Sequence, residues 1–322
     1  MQIICDLFYI LLFMTTVGGA FTIVSLLANR VMRFTLPLWF SVCGMIAYIV
    51  PVLAPGLHLI SPEDHSWIPE YYVACAVWFW GVILFAVYDI ARMMLARRAI
   101  RSYHVCEEER IIAICDQCGK LVHLKKTPFV YFGTLNDPAC VVGVLHPAII
   151  LNEEIISQLT DEELMIVLCH EATHIRREHI ILGRIYDYIC ILNWPNPLCW
   201  IAKKEFAVHC EIDCDQRALA SLENRTTGVG YAGAMVRLLG LSAVQNSSGV
   251  GGMSALGFLV AKRRMELIMC RPRKAKKIIT ILFLGLMLSL IILFSMSVSR
   301  GHFYPYPAYQ SLSGDEYSCI IG

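Results

Sequence analysis

A short pattern near the middle of the chain has the residue types and spacing of a metal-dependent peptidase. His170-Glu171-x-x-His174 matches the pattern H-E-x-x-H. On a helix, residues four apart lie on one face, so both imidazoles can bind one ion while Glu171 lies beside the open coordination position. Short patterns also arise by chance, and the alternative is a pair of ordinary histidines on a helix surface.

A second acidic pair favours the metal site. Glu211-x-x-x-Asp215 places two carboxylates on one face of a predicted helix at residues 205–218. In glutamate-liganded zinc peptidases, a Glu completes a three-ligand site with water in the fourth position, and an Asp orients a ligand imidazole. The metzincin alternative is excluded, because Ile180 stands where the third histidine would be and Arg177 replaces the required glycine.

Two further histidines lie near these residues in the sequence. We expect His179 to be solvated or to support a ligand rather than to bind the ion, because its angular position differs from that of His170 and His174. His209 lies two residues before Glu211 and could donate to a tetrahedral oxyanion. For His209 a merely exposed side chain is the stronger expectation.

The residues around the pattern predict the elements that must position it. Residues 160–163, Thr-Asp-Glu-Glu, form a capping box that begins the helix of the pattern, and residues 107–118 have the apolar spacing of another helix. Three short segments rich in β-branched and aromatic residues predict strands at 129–132, 140–144 and 148–151. An edge strand beside the pattern helix could bind a peptide substrate in extended form.

Residues 180–202 are apolar enough to resemble a membrane span. A crossing there would put Glu211 on the opposite side of the membrane from His170 and His174. We therefore predict a helix, a turn at residues 193–197 and the helix of Glu211, lying against the bilayer surface.

The composition predicts an integral membrane protein. Hydrophobic residues make up 57% of the chain and charged residues 16%, against a charged share of about 25% in soluble domains. Four stretches are long enough to cross the hydrocarbon core, and the first lacks the features of a cleaved signal peptide. These stretches are residues 7–28, 38–54, 71–88 and 278–299.

The positions of Lys and Arg predict the orientation. Basic residues follow the first and third stretches and precede the fourth, whereas the segment before the first stretch and the loop at 57–70 have none. Because basic flanks mark the cytoplasmic side, both termini are expected outside and residues 92–277 inside. The net charge of +1 gives no reason to expect direct nucleic-acid binding.

The predicted organisation is an α-helical membrane protein with four transmembrane helices and a cytoplasmic α+β zincin-like metallopeptidase domain. Residues 240–257 are rich in Gly and Ser and predict a flexible linker, followed by a basic amphipathic stretch at 261–273. The domains are three transmembrane helices (1–95), the metallopeptidase domain (96–240), the linker with the basic stretch (241–277), the fourth helix (278–299) and a short external tail (300–322).

The fourteen cysteines fit a reducing compartment, where free Cys acts as a small apolar residue. Cys115-x-x-Cys118 resembles half of a zinc knuckle, but no second pair follows at a suitable spacing. Cys5 and Cys319 would both lie near the outer face, where a bridge between them is conceivable.

Together these features resemble the BlaR/MecR-type membrane metallopeptidases, the β-lactam sensor-transducers and their relatives. The resemblance covers the architecture of about residues 1–300 and is specific between about residues 128 and 220. It implies His170, His174 and Glu211 as ligands of one zinc ion, Glu171 as catalytic base and the cleavage of a cytoplasmic protein such as a repressor. The matching segments are residues 141–151, 164–174, Asn193-Trp-x-Asn-Pro197-x-x-Trp200 and Glu211-Ile-Asp-Cys-Asp215.

One departure from that family concerns sensing. The antibiotic sensors have a large external domain after the fourth span, whereas residues 300–322 are too few to form a core. Antibiotic sensing is therefore unsupported, and an external signal would be sensed by the short loops, the tail or another protein. The candidate partners are a separate sensor protein and a second copy of the chain in a homodimer. Two other functions stay open: a catalytically silent adaptor with a structural zinc site, and a quality-control or prenyl-peptide protease.

Self-cleavage is a further activity that the resemblance implies. Residues 249–258 suit it, since glycines keep the backbone loose and apolar side chains can fill a pocket beside the scissile bond. The alternative is an inert linker. The candidate residues are Gly249, Gly251, Gly252, Leu256 and Phe258.

Overall fold

The structure is a computed structural model that describes residues 15–27, 38–49, 69–247, 261–266 and 268. Within these ranges the chain is mainly helical and contains one four-stranded sheet. The helices are α1 (Thr15–Leu27), α2 (Leu38–Ala47), α3 (Pro69–Ile100), α4 (Glu109–Leu121), α5 (Glu153–Ile156), α6 (Asp161–Arg176), α7 (His179–Leu192), α8 (Pro197–Ser221) and α9 (Gly228–Ser247). The strands are β1 (His104–Val105), β2 (Phe129–Phe132), β3 (Ala139–Val142) and β4 (Ala148–Leu151).

Helix α3 is long and apolar enough to cross a membrane. Its 28-residue part Val73–Ile100 has a mean hydropathy of 2.0 in its most apolar window. At a rise of 1.5 Å per residue this part is about 42 Å long, which exceeds a hydrocarbon core of about 30 Å. The third predicted span and its basic continuation therefore form one helix, as expected.

The other predicted spans have weaker support. Helices α1 and α2 lie inside the first two predicted stretches, but each is shorter than a membrane crossing. The fourth stretch, residues 278–299, lies outside the described residues. Among the described residues, one of the four predicted transmembrane helices is thus long enough to span.

The sheet confirms the three predicted strands. Its order is β1-β2-β4-β3, with β2 and β4 parallel and the other two pairings antiparallel. Strand β3 forms one edge of the described sheet. The chain leaves β3 at Gly143, which has φ 87°, and a Cβ there would lie 2.5 Å from the carbonyl oxygen of His146. This tight turn returns the chain to β4.

Helix α6, which carries the H-E-x-x-H pattern, begins at the predicted capping box. The Thr160 hydroxyl accepts from the backbone N–H of Glu163 at 3.3 Å, and the Glu163 carboxylate accepts from the N–H of Thr160 at 3.0 Å. The inner face of α6 buries Leu164 and Leu168 completely, in one core with residues of α4 and the sheet. Burying such a side chain contributes about 1.5–3 kcal/mol, so this core holds the pattern helix in place.

The apolar region 180–202 forms two helices and a turn, as predicted. Helix α7 ends at Leu192, and α8 begins at Pro197, where a missing N–H costs nothing. The Asn196 side chain caps α8 by accepting from the N–H of Leu198 at 2.9 Å. Helix α8 then continues through residue 215, so one helix carries both predicted carboxylates.

One expectation for the later chain is wrong, and the expectation that free cysteines act as small apolar residues is confirmed for Cys115 and Cys118. The predicted linker at 240–257 is wrong in its first part, because α9 continues to Ser247. Cys115 and Cys118 are buried in the hydrophobic core, and the Cys118 thiol donates to the carbonyl of Met165 at 3.4 Å. Both cysteines therefore pack as apolar residues. Cys5, Cys319 and the self-cleavage residues Gly249, Gly251, Gly252, Leu256 and Phe258 lie outside the described residues.

Candidate metal centre

Helices α6 and α8 bring three of the predicted residues to one point. The Nε2 atoms of His170 and His174 are 3.2 Å apart. The Glu211 carboxylate meets both rings, with one oxygen 3.4 Å from Nε2 of His170 and the other 3.4 Å from Nε2 of His174. Residues 37 and 41 positions apart in the sequence thus form a triangle, whose corners are two imidazole nitrogens and one carboxylate group.

The triangle has the dimensions of a metal site. Ligand atoms about 2.0–2.2 Å from a tetrahedral ion lie about 3.3–3.5 Å from one another. The three observed separations are 3.2, 3.4 and 3.4 Å. Two imidazole nitrogens and a carboxylate leave a fourth tetrahedral position for water, so the residues present fit one metal ion.

Asp215 lies behind His170, as its position one turn after Glu211 predicts. Its Oδ1 atom is 3.1 Å from Nδ1 of His170, and the Tyr231 hydroxyl donates to the same oxygen at 3.1 Å. The Asp215 side chain is 1% exposed. Burial alone would raise its pKa, but His170 and Arg264 outweigh burial and lower the pKa of Asp215. A charged Asp215 therefore holds His170 with Nε2 toward the triangle.

Arg264 is a site residue that the sequence patterns did not reveal. It lies in the helical segment 261–266, and its guanidinium donates to both oxygens of Asp215 at 2.7 and 2.9 Å. The same group lies 3.1 Å from Oε2 of Glu211. We predicted a basic amphipathic stretch at 261–273 and gave Arg264 no role in the site, but its side chain is only 14% exposed. The signal that the sequence offered for Arg264 is its place in a run of three basic residues, 262–264.

The second histidine has its own neighbours on the side away from Glu211. Nδ1 of His174 is 3.3 Å from Nδ1 of His179, which is 3.3 Å from the Cys214 thiol. His179 is buried rather than solvated. Of the two roles that we expected for it, support of a ligand therefore remains. Burial and the neighbouring His174 lower the pKa of His179 to about 4, so His179 is neutral and can accept from His174.

Cys214 offers another ligand set that the sequence did not suggest. One ligand atom each from His170, His174 and Cys214 lie within 4.8 Å of one another. Burial raises the pKa of the Cys214 thiol well above its ordinary value, which disfavours the thiolate that a metal requires. The Glu211 carboxylate lies 3.4 Å from Nε2 of both histidines and holds its charge without a raised pKa, so we take His170, His174 and Glu211 as the candidate site.

Glu171 follows His170 on the same helix and is partly buried. Burial raises its pKa above that of an ordinary glutamate, while His170 and His174 act in the opposite direction. For His170 the charged neighbours outweigh burial. Burial lowers its pKa, but Asp215 and Glu211 raise it to about 10. A proton and a metal ion therefore compete for this ring.

His209 does not take the predicted place. It is 4% exposed rather than a surface residue, and its Nδ1 atom contacts the Ser41 hydroxyl of α2. Its Nε2 atom has no hydrogen-bond partner among the described residues. The ring lines a cavity beneath α1 and α2, together with Phe40 and Tyr186. His209 and Glu211 thus lie on different faces of α8. His209 does not face the candidate metal site, as an oxyanion donor would.

Comparison with known proteins gives one family. The family model described as BlaR1 peptidase M56 matches residues 59–268, which include every residue of the candidate site.

Two relatives extend the comparison. The chain is 24% identical over 150 residues to the regulatory protein BlaR1 of Bacillus licheniformis, an alignment that covers 47% of this chain and 25% of the relative. It is 23% identical over 218 residues to the methicillin resistance mecR1 protein of Staphylococcus aureus, covering 65% of this chain and 36% of the relative. The matched region thus spans between a quarter and about a third of these longer proteins.

Proposed function

The chain belongs to the BlaR1 peptidase M56 family, and from this premise we propose that it is a membrane-bound zinc endopeptidase acting in signal transduction. The observation that carries the proposal is the triangle of His170 Nε2, His174 Nε2 and the Glu211 carboxylate. Two imidazoles and one carboxylate, with Glu171 beside them, are the donor set of zinc peptidases with an open fourth position.

In the proposed mechanism, His170, His174 and Glu211 hold one zinc ion. Bound zinc supplies a polarised scissile carbonyl and a water molecule whose pKa is lowered to about 7. Glu171 would accept the proton of the attacking water and pass it to the nitrogen of the leaving amine. Its partly buried position suits this exchange, because burial moves the pKa of Glu171 upward from that of an exposed carboxylate.

Asp215, Arg264 and His179 position the ligands. Asp215 fixes the ring of His170 through Nδ1, and Arg264 holds Asp215 with two hydrogen bonds. His179 fixes the ring of His174, because Nδ1 of His179 lies 3.3 Å from Nδ1 of His174. Each ligand imidazole thus has a hydrogen-bond partner at Nδ1, which fixes the tautomer that leaves Nε2 free for the metal.

The proposed substrate is an extended segment of a cytoplasmic protein, such as a repressor. Strand β3 packs against α6 and forms the edge of the described sheet. An edge strand leaves one row of backbone N–H and C=O groups for pairing with an added peptide strand. A peptide paired there would run past the metal-binding residues of α6. The name of one relative, a regulatory protein, agrees with a regulatory substrate.

The proposed location is a membrane, with the peptidase part in the cytoplasm. Helix α3 is long enough to span, and arginines follow its apolar part at positions 92, 97, 98 and 101. Basic residues after a span favour the cytoplasmic side for the chain that follows.

Metal content and peptide hydrolysis of the full-length protein in detergent test the proposal. We expect one zinc per chain, lost in His174→Ala and in Glu211→Ala but kept in Glu171→Gln, which should be inactive. Cys214→Ser is the matched control and should keep both zinc and activity. A Glu211→Ala protein with full zinc and activity would show that the ligand set is wrong. An active Glu171→Gln protein would show that Glu171 is not the catalytic base, and a wild-type protein that binds zinc but hydrolyses no peptide would favour the silent adaptor with a structural zinc site.

A further inference from the structure

The hairpin of α7 and α8 exposes an unusual set of side chains. Between residues 185 and 201, every exposed position carries an apolar or aromatic residue and none carries a charge. A helix at a water surface presents polar and charged residues outward, whereas a continuous apolar face marks an interaction surface. The exposed residues are Ile185, Tyr188, Leu192, Pro195, Pro197 and Ile201.

The tip of this hairpin packs along the middle of α3. The Trp78 indole donates to the carbonyl of Leu192 at 2.9 Å, and the Trp194 indole donates to the carbonyl of Trp78 at 3.2 Å. Trp194 fills the space beside Gly81, where a Cβ would lie 2.3 Å from the indole. Its ring also stacks on Phe85, with the ring centroids 5.7 Å apart. The tip thus lies beside the part of α3 that is most suited to the hydrocarbon.

The turn satisfies its polar groups inside the protein. Asn193 donates through its side-chain amide to the carbonyl of Ile189 at 3.0 Å and accepts from the Thr15 hydroxyl at 3.0 Å. Asn196 accepts from the N–H of Leu198 and donates to the carbonyl of Thr15 at 3.5 Å. Two of the five turn residues are prolines, which lack an N–H. Non-helical backbone is tolerated at membrane depth under this condition.

A layer of charged residues lies between the apolar hairpin and the metal cluster. Arg184 binds Asp89 of α3 at 2.6 Å and Asp187 at 2.7 Å, and Arg92 and Lys203 join the same network. Leu192 lies eight residues beyond Arg184 on α7, a rise of about 12 Å. With the turn added, the tip extends to about half of a hydrocarbon core of about 30 Å.

We propose that residues 185–201 form a re-entrant hairpin inserted to about the middle of the bilayer, and that lipid acyl chains cover its exposed face. The inference rests on the proposed membrane location of the chain. Its exposed face continues the apolar surface of α3, whose own exposed residues include Leu84 and Trp80. The charged layer lies at the membrane boundary. His179, which contacts the ligand His174, lies five residues before Arg184, so the candidate metal site lies at the membrane surface.

Depth-dependent fluorescence quenching tests this placement. A genetically encoded fluorescent amino acid replaces Leu192 or Ile185, one at a time, in the full-length chain. Each protein is embedded in lipid nanodiscs whose acyl chains carry bromine either near the head group or near the chain end. Leu84 of α3 is the membrane control. Leu145, which is 86% exposed after β3, is the water control.

We expect a greater loss of fluorescence at Leu192 with the deep bromines and a greater loss at Ile185 with the shallow bromines. Loss at both positions with the shallow bromines alone would mean that the hairpin lies flat on the bilayer surface, and would overturn the proposal. Leu192 behaving as Leu145 does would mean that water or a second copy of the chain covers the hairpin, and would overturn the proposal equally. Zinc content and peptide hydrolysis of these proteins report separately on the proposed function, and an unquenched Leu84 would refute the membrane location together with the hairpin.

Discussion

Replacing Arg264 with Met should destabilise the protein far more than the same change at its neighbour Arg263. Asp215 has a side chain that is 1% exposed, and Arg264 donates to both of its oxygens at 2.7 and 2.9 Å. Removing one partner of a buried ion pair costs about 3–5 kcal/mol. Tyr231 and His170 still contact the carboxylate after the change, so we expect the lower value of about 3 kcal/mol.

Arg263→Met is the matched control. Arg263 lies 3.6 Å from Glu205, and both side chains are about one-third exposed. Such a pair contributes about 0–1 kcal/mol. Arg264→Lys should fall between the two, because an ammonium keeps the charge but cannot form the two parallel hydrogen bonds of a guanidinium.

Thermal unfolding of the detergent-solubilised full-length protein measures the effect. For a chain of 322 residues we take the low end of the usual scale, about 2 °C per kcal/mol, so we expect Arg264→Met to lower the apparent midpoint by about 6 °C. The double variant Arg264→Met with Asp215→Asn should fall by less than the sum of the single changes, since the neutral amide needs no cation. Zinc affinity should fall about 10–100-fold in Arg264→Met. Equal shifts for Arg264→Met and Arg263→Met would refute the reasoning.

Three further predictions concern topology, pH and processing. A membrane-impermeant thiol reagent should label a cysteine placed at Ser66 and miss one at Glu153 in intact cells; labelling at Glu153 would contradict the cytoplasmic location. Burial lowers the pKa of His209 to about 4. The contribution of neutral His209 to the free energy of unfolding should therefore be constant above about pH 6.5 and be lost as pH falls toward 4, by on the order of 3 kcal/mol. His209→Asn should therefore flatten the pH dependence of the unfolding midpoint over this range, and an unchanged slope would contradict it. The wild-type protein should yield a fragment ending within residues 249–258 that is absent in Glu171→Gln, and an equal amount in both would assign the cut to another protease.

The sequence determined the parts of the site whose geometry is local. Spacing of four residues on a helix brings His170 and His174 to one face, and the capping box at Thr160 begins that helix, as the structure confirms. The same periodicity places Glu211 and Asp215 on one face of α8. Short segments rich in β-branched and aromatic residues, separated by turn residues, were sufficient to predict three of the strands. These features depend on residues close together in the chain, so one sequence could reveal them.

Tertiary structure alone decided the contacts between distant segments. Arg264 is 49 residues from Asp215, and the basic residues around it predict a solvated face just as well as a buried ion pair. His209 was expected at the surface, but α2, more than 160 residues away, covers it. The position of the turn at residues 193–196 against α3 depends on Trp194 packing beside Gly81. Local propensity limits which face a residue occupies, whereas the helix that covers this face depends on how all the apolar surfaces pack together.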